Sequence, residues 1–181
     1  MNPGKGSSPS IRSFTPENLL LGLLLETSRD GYQLNRILKQ ELNQIWRLSQ
    51  SQLYATLKRL EARGLLTGTQ TASQRGLPRR VFSLTDAGHQ RVMTWLTTPT
   101  PCSVQLIRLE LPARLYILNR LNPQQVSEVI TGQRAVIQEG LQRLQEQLSR
   151  IPAEQTYNRM ACEMRLHQVQ ALLGWFDKTF N

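Results

Sequence analysis

No run of 18 apolar residues occurs in this 181-residue chain; the longest apolar block, Leu19 to Leu25, includes Gly22. A membrane-spanning helix needs about 20 such residues, so none is expected. The N-terminus lacks a charged segment followed by an apolar run, so no secretory signal is expected. Cysteine is scarce: Cys102 and Cys162 stand far apart, with no Cys-x-x-Cys or Cys/His cluster near either. That argues against structural zinc and fits thiols in a reducing cytoplasm, where the protein is placed. An oxidation sensor would need a thiol with a lowered pKa, and only Arg159 and Arg165, near Cys162, are at hand to lower one. Histidine is scarcer still for a catalyst. His89 and His167 are the only two, and His89 follows Asp86-Ala87-Gly88 at a helix start. There is no Gly-x-Ser-x-Gly, phosphate loop or paired-carboxylate motif. The chain reads as a non-enzyme with no metal and no cofactor.

Acidic residues are also few: 13 Asp+Glu against 22 Lys+Arg, a net charge of +9. Residues 1–100 carry 13 basic and 6 acidic side chains; the remainder carries 9 and 7. The excess is thus concentrated in the N-terminal half, which points that half at a polyanion.

Residues 1–13, MNPGKGSSPSIRS, have the Gly/Ser/Pro content of a flexible tail. Thr15-Pro16-Glu17 predicts a helix start, with Thr15 as N-cap and Pro16 first in the helix. This helix should run through LLLGLLLETS, buried all round, to a break at Asp30-Gly31. A second helix is expected from Tyr32 to Leu42, with Leu34, Ile37, Leu38 and Leu42 inward and Arg36 and Lys39 outward. Ser49 and Gln52 form a capping box opening a third helix to about Ala62, with Gly64 as its terminator. Leu65–Thr71 and Arg80–Leu84 read as a β-hairpin around Gly76 and Pro78. Thr85 caps a fourth helix, which ends before Thr97-Thr98-Pro99-Thr100-Pro101, a credible domain boundary. Beyond it lie three helices: about 103–121 with Pro112 inside, one capped by Asn122 and running to Arg150, and about 153–179. Ile130, Ile137, Leu141, Leu144, Leu148 and Ile151 form a heptad-like seam on the second of these.

Three helices followed by a hairpin is the order of a winged helix-turn-helix, whose third helix enters the DNA major groove. Leu53, Leu57 and Leu60 fall on one side of that helix and should face the core. Ser51, Tyr54, Ala55 and Lys58 fall opposite. Small Ser51 and Ala55 permit close approach. Gln52 can read base edges, because an amide both donates and accepts. Tyr54 and Lys58 suit phosphate oxygens. An ordinary amphipathic surface helix would share this pattern, but the hairpin tip adds Arg75, Arg79 and Arg80 around a Gly-x-Pro turn. The DNA-contacting set is therefore Tyr32, Gln50, Ser51, Gln52, Tyr54 and Lys58 on the helices, with Arg75, Gly76, Arg79 and Arg80 on the wing.

These motifs resemble the PadR-type regulators. LLLGLLLETSRDGYQL is similar to that family's first helix and Gly-Tyr entry, and SQSQLYATLKRLEARGLL to its Ser-x-x-Leu-Tyr-x-x-Leu-x-x-Leu-Glu-x-x-Gly-Leu signature. RGLPRRVFSLTDAG is similar to its wing and Leu-Thr-x-x-Gly phrase, with Phe82 where the family usually has Tyr. The likeness covers residues 19–96; the helices after 101 resemble the dimerisation region of longer members. It implies a mainly α fold with a small β-hairpin, a winged-helix DNA-binding domain over 14–98 and a helical dimerisation domain over 102–181. It further implies a cytoplasmic homodimer that binds a palindromic operator in double-stranded DNA, usually as a repressor. Family members sense phenolic acids, drugs or other aromatics, so a pocket for a small aromatic effector is expected around Trp46, Trp95 and Met93, with Trp175, Met160 and Met164 as further candidates. The other reading is a winged-helix protein-interaction module acting through its C-terminal helices.

Overall fold

The structure, a computed structural model, describes residues 16–71 and 78–180. Helices α1 (Glu17–Gly22), α2 (Gly31–Gln40), α3 (Gln50–Ala62) and α4 (Asp86–Thr97) surround a small antiparallel sheet. Its strands are β1 (Arg29–Asp30), β2 (Leu66–Thr71) and β3 (Arg79–Leu84), in the order β1-β3-β2. The hairpin register pairs Leu66 with Leu84 and Thr71 with Arg79, while Arg29 lies opposite Phe82. Three long helices follow: α5 (Val104–Leu121), α6 (Val126–Arg150) and α7 (Thr156–Phe180). The fold is mainly α, a winged helix-turn-helix followed by a helical region. Among the described residues no helix is long and apolar enough to cross a membrane.

The expected core is in place. Leu34, Leu53, Leu57 and Leu60 are fully buried, and Leu38 and Leu42 nearly so; Ile37 is half-buried. Truncating one such leucine to alanine costs about 2–5 kcal/mol. On α6, Ile137 and Leu144 are buried and the rest of the seam is half-buried.

Local chemistry explains most element ends. Ser49 Oγ accepts from the Gln52 N–H at 3.1 Å, and Gln52 Oε1 accepts from the Ser49 N–H at 2.9 Å, closing the capping box. At the far end Leu65 N–H reaches the Leu60 carbonyl and Gly64 N–H that of Glu61, with Gly64 at φ +68°. That is a Schellman ending, which needs a left-handed residue and hence favours glycine. Thr85 accepts from Gly88 N–H at 3.1 Å to start α4. A Cβ on Gly88 would sit 1.9 Å from the Leu65 carbonyl oxygen, so the Leu-Thr-x-x-Gly phrase is what lets α4 lie against the base of the wing.

Four expectations about ends are corrected. The first helix does not run to the Asp30-Gly31 break but stops at Gly22. The chain then turns, the Arg29 guanidinium donating to the Leu23 carbonyl, so that Arg29-Asp30 can pair with β3 as a third strand. Asp30 starts α2 rather than merely ending α1: its Oδ1 accepts from Gln33 N–H at 2.8 Å. Pro16 is the N-cap of α1, not its first residue, and Thr15 lies outside the described residues. Asn122 makes no side-chain cap; a 3₁₀ turn, Pro123–Gln125, intervenes before α6. The expected tail at 1–13 also lies outside the described residues.

Candidate nucleic-acid interface

The outer side of α3 presents Gln50, Ser51, Gln52, Tyr54, Ala55 and Lys58, all exposed. The helix N-terminus adds the positive end of its dipole on this side. Tyr54 is 42% exposed, and its ring lies over the start of α2: a Cβ on Gly31 would come within 2.5 Å of the Tyr54 hydroxyl. Glycine at 31 therefore makes room for the tyrosine that α3 sends across. The adjoining Tyr32 is 68% exposed. Gln52 is accessible, but its carbonyl oxygen is engaged at Ser49, leaving the amide NH₂ as the free end.

The exposed side of α2 continues this surface. Tyr32, Arg36 and Lys39, spaced by four and three, fall along one helix side and are all exposed. Among the described residues Lys58, Arg36 and Lys39 form no ion pair, so their charges face solvent. The site assignment from the sequence omitted Arg36, Lys39 and the neighbouring exposed Arg47, although the outward position of the first two was legible in the helical spacing.

The wing arginines are arranged differently. Arg80 grips Glu61 of α3 with two bonds of 2.7 and 2.8 Å and stacks its guanidinium 5.7 Å from the Phe82 ring centroid. Glu61 also accepts from the Gly68 N–H at 3.0 Å, fastening α3 to both wing strands. Arg79 lies 3.5 Å from Asp30. Both arginines hold the wing in position while keeping about half their surface in water, with 55% of the Arg79 side chain and 52% of the Arg80 side chain exposed. Arg75 and Gly76 fall outside the described residues.

Behind the interface is a group that nothing in the sequence signalled. The Glu17 carboxylate, 7% exposed, takes Arg59 of α3 at 2.9 Å, Arg63 at 2.8 Å and Arg91 of α4 at 2.8 Å. Burial alone would raise its pKa; the Arg91 and Arg59 hydrogen bonds and the charges of Arg63 and Arg91 outweigh it, so Glu17 sits below the ordinary carboxylate value. Three helices thus meet on one carboxylate. A second acid, Glu26, bonds Arg29 at 2.9 Å and Arg120 of α5 at 3.1 Å, and its pKa is lowered too, those arginines outweighing the effect of burial. Tyr116 of α5 donates to Glu41 at 2.7 Å, and burial with that carboxylate pushes its phenol up to about 12. These contacts tie α5 to the winged helix.

The effector grouping does not assemble as expected. Met93 lines a cleft of about 240 Å³ with Leu25, His89, Leu118, Leu121, Asn122 and Gln125, and neither Trp46 nor Trp95 takes part. Trp95 lies roughly opposite Met93 on α4, two residues and about 200° away, and is buried under the Arg114 guanidinium at 5.5 Å. Trp46 is half-buried against the core. Met160, Met164 and Trp175 are exposed on α7. For the thiols, burial raises the Cys102 pKa, and Cys162 is buried against the Leu144 carbonyl. A raised pKa at Cys102 does not suit a reactive thiolate.

Residues 20–94 match the family model described as transcriptional regulator PadR-like family. The chain carries a PadR-family domain. Residues 107–181 match a second model, described as virulence activator alpha C-term. Among curated proteins the chain is 31% identical over 114 residues to the negative transcriptional regulator PadR of Bacillus subtilis, covering 63% of this chain and 62% of that one. It is 28% identical over 81 residues to a probable transcriptional regulator of Mycobacterium tuberculosis, covering 44% and 42%. Each match thus spans under two thirds of the relative's length. The crystal structure of Bacillus subtilis PadR with operator DNA is similar at a TM-score of 0.46 and 25% identity, covering 91% of this chain and 95% of that one.

Proposed function

We propose that this protein is a homodimeric, sequence-specific DNA-binding transcriptional regulator, acting as a repressor. The observation that carries the reading is the capped helix α3. It presents Gln50, Ser51, Tyr54 and Lys58, which forms no ion pair among the described residues, on one exposed side, continued by Arg36 and Lys39 of α2. In this arrangement α3 lies in the major groove, α2 crosses the backbone and the half-exposed Arg79 and Arg80 guanidiniums reach flanking phosphates. The repressor role rests on the 31% identity to a relative named a negative regulator. Division into a DNA-binding unit to about residue 98 and a dimerisation unit from about 102 follows the proline-rich link between α4 and α5.

The dimer reading rests on α7. Tyr157, Met164 and Trp175 project within about 20° of one another, and Met160 within about 60°, and they are 83%, 60%, 47% and 47% exposed respectively. An exposed apolar stripe of this kind marks an interface. A twofold pair would set two α3 helices against half-sites about 34–36 Å apart. The cleft beside Met93 takes the releasing effector, a small aromatic or hydrophobic molecule.

A gel shift on palindromes selected from a random duplex library tests the reading. Counting only Lys58, Arg36 and Lys39, which no acid offsets among the described residues, while Arg79 and Arg80 already face carboxylates, six phosphate contacts per dimer give a slope of log K against log salt of roughly −5. Affinity should fall about a thousandfold between 50 and 200 mM salt. Affinity indifferent to salt rules the surface out as a DNA site. Release of the shifted duplex by a panel of aromatic compounds tests the effector, with calorimetry for direct binding; no release and no binding heat across the panel removes it.

A further inference from the structure

The backbone of the link between α4 and α5 is held at Thr100 by one side chain. Thr100 lies between Pro99 and Pro101, which have no N–H, so it carries the one backbone donor of that tripeptide. Its N–H donates to Gln133 Oε1 at 2.8 Å, and Gln133 Nε2 donates back to the Thr100 carbonyl at 2.9 Å. Both residues are fully buried. The α6 glutamine thus pairs with the linker as a neighbouring strand would, satisfying a donor and an acceptor at once.

The Thr100 side chain is held as firmly. Its hydroxyl donates to Glu110 Oε2 at 2.9 Å and accepts from Arg114, which also bonds Glu110 at 3.1 Å. The Arg114 guanidinium lies over Trp95 of α4. The last turn of the winged helix, the linker, α5 and α6 therefore converge on one threonine. Helix α6 packs along α7, joined by the 2.8 Å Arg134–Asp177 pair, and α7 carries the stripe assigned to the dimer.

We infer that Gln133 is a positioning residue that sets which half-site spacing the dimer accepts; this rests on the dimeric DNA-binding reading above. Gln133 joins the long helices to the backbone from which the winged helix hangs. With the pairing intact, the two α3 helices keep one separation and one rotation. Leucine at 133 has similar bulk but neither bond, and two buried backbone groups then lose their partner and the linker shifts to reach others.

The test uses the full chain and the palindrome that wild type selects, rebuilt with one base pair added or removed at the centre. Each such step rotates one half-site by about 35°. Wild type should lose at least tenfold in affinity per step. Gln133→Leu, with dimerisation confirmed by sedimentation, should lose no more than threefold per step. Gln133→Ala, which leaves room for a bridging water, should fall between the two. Gln145→Ala, an exposed site on the same helix, should match wild type. Either variant at 133 keeping the wild-type spacing profile within twofold overturns the inference, as does a wild type without spacing preference. A wild type that binds no duplex as a dimer overturns instead the DNA-binding reading on which it rests.

Discussion

Replacing Glu17 by glutamine removes the charge on which α1, α3 and α4 converge while keeping its shape. Breaking a buried ion pair by removing one partner costs about 3–5 kcal/mol. Here Arg91 is 28%, Arg59 49% and Arg63 51% exposed, so water recovers much of their solvation and the value must be discounted. About 2 kcal/mol remains, which for a chain of this size lowers the melting temperature by roughly 4–8 °C. Thermal unfolding by circular dichroism at pH 7 reads this directly. The pH dependence supplies a second check. The folded pKa of Glu17 lies below its ordinary value of 4.5, so its contribution is fully present above that value and is lost as pH falls through the depressed one. The gap between wild type and Glu17→Gln should be constant from pH 7 to about pH 5 and close below it. Equal melting temperatures at pH 7, or a gap that widens in acid, would show that the three arginines do not depend on this carboxylate.

Three further outcomes follow from the same geometry. Lys58→Ala should weaken selected and random duplexes by the same factor, about five- to tenfold, and make the salt slope of the dimer shallower by about 2, read by fluorescence anisotropy. A loss confined to the selected sequence would assign Lys58 to base reading instead. Gly31→Ala places a methyl group in the Tyr54 ring and should cost about 1–3 kcal/mol in urea unfolding, with weaker DNA binding as Tyr54 is displaced; unchanged stability would mean that the ring moves freely. Met164→Glu on the apolar stripe of α7 should weaken self-association more than a hundredfold, about 3 kcal/mol, by sedimentation. An intact dimer would move the interface to another surface.

Local signals were enough for what depends on a few neighbouring residues. The Ser49/Gln52 box, the Gly64 terminator, the Thr85 cap and the leucine spacing of α3 are read within a turn or two of helix, because the groups that satisfy one another lie three to five positions apart. So are the net charge of the N-terminal half and the outward position of Lys58. Strand β1 escaped because two residues make no period, and Arg29-Asp30 is extended only by virtue of a partner strand some fifty positions on. The grip of Arg80 on Glu61, the gathering of Arg59, Arg63 and Arg91 on Glu17, and the pairing of Gln133 with Thr100 were likewise decided by packing. An arginine in a sequence is a charge without an address. Whether it faces a phosphate or a carboxylate depends on which distant acid the folded core carries to it, and only the tertiary structure sets that.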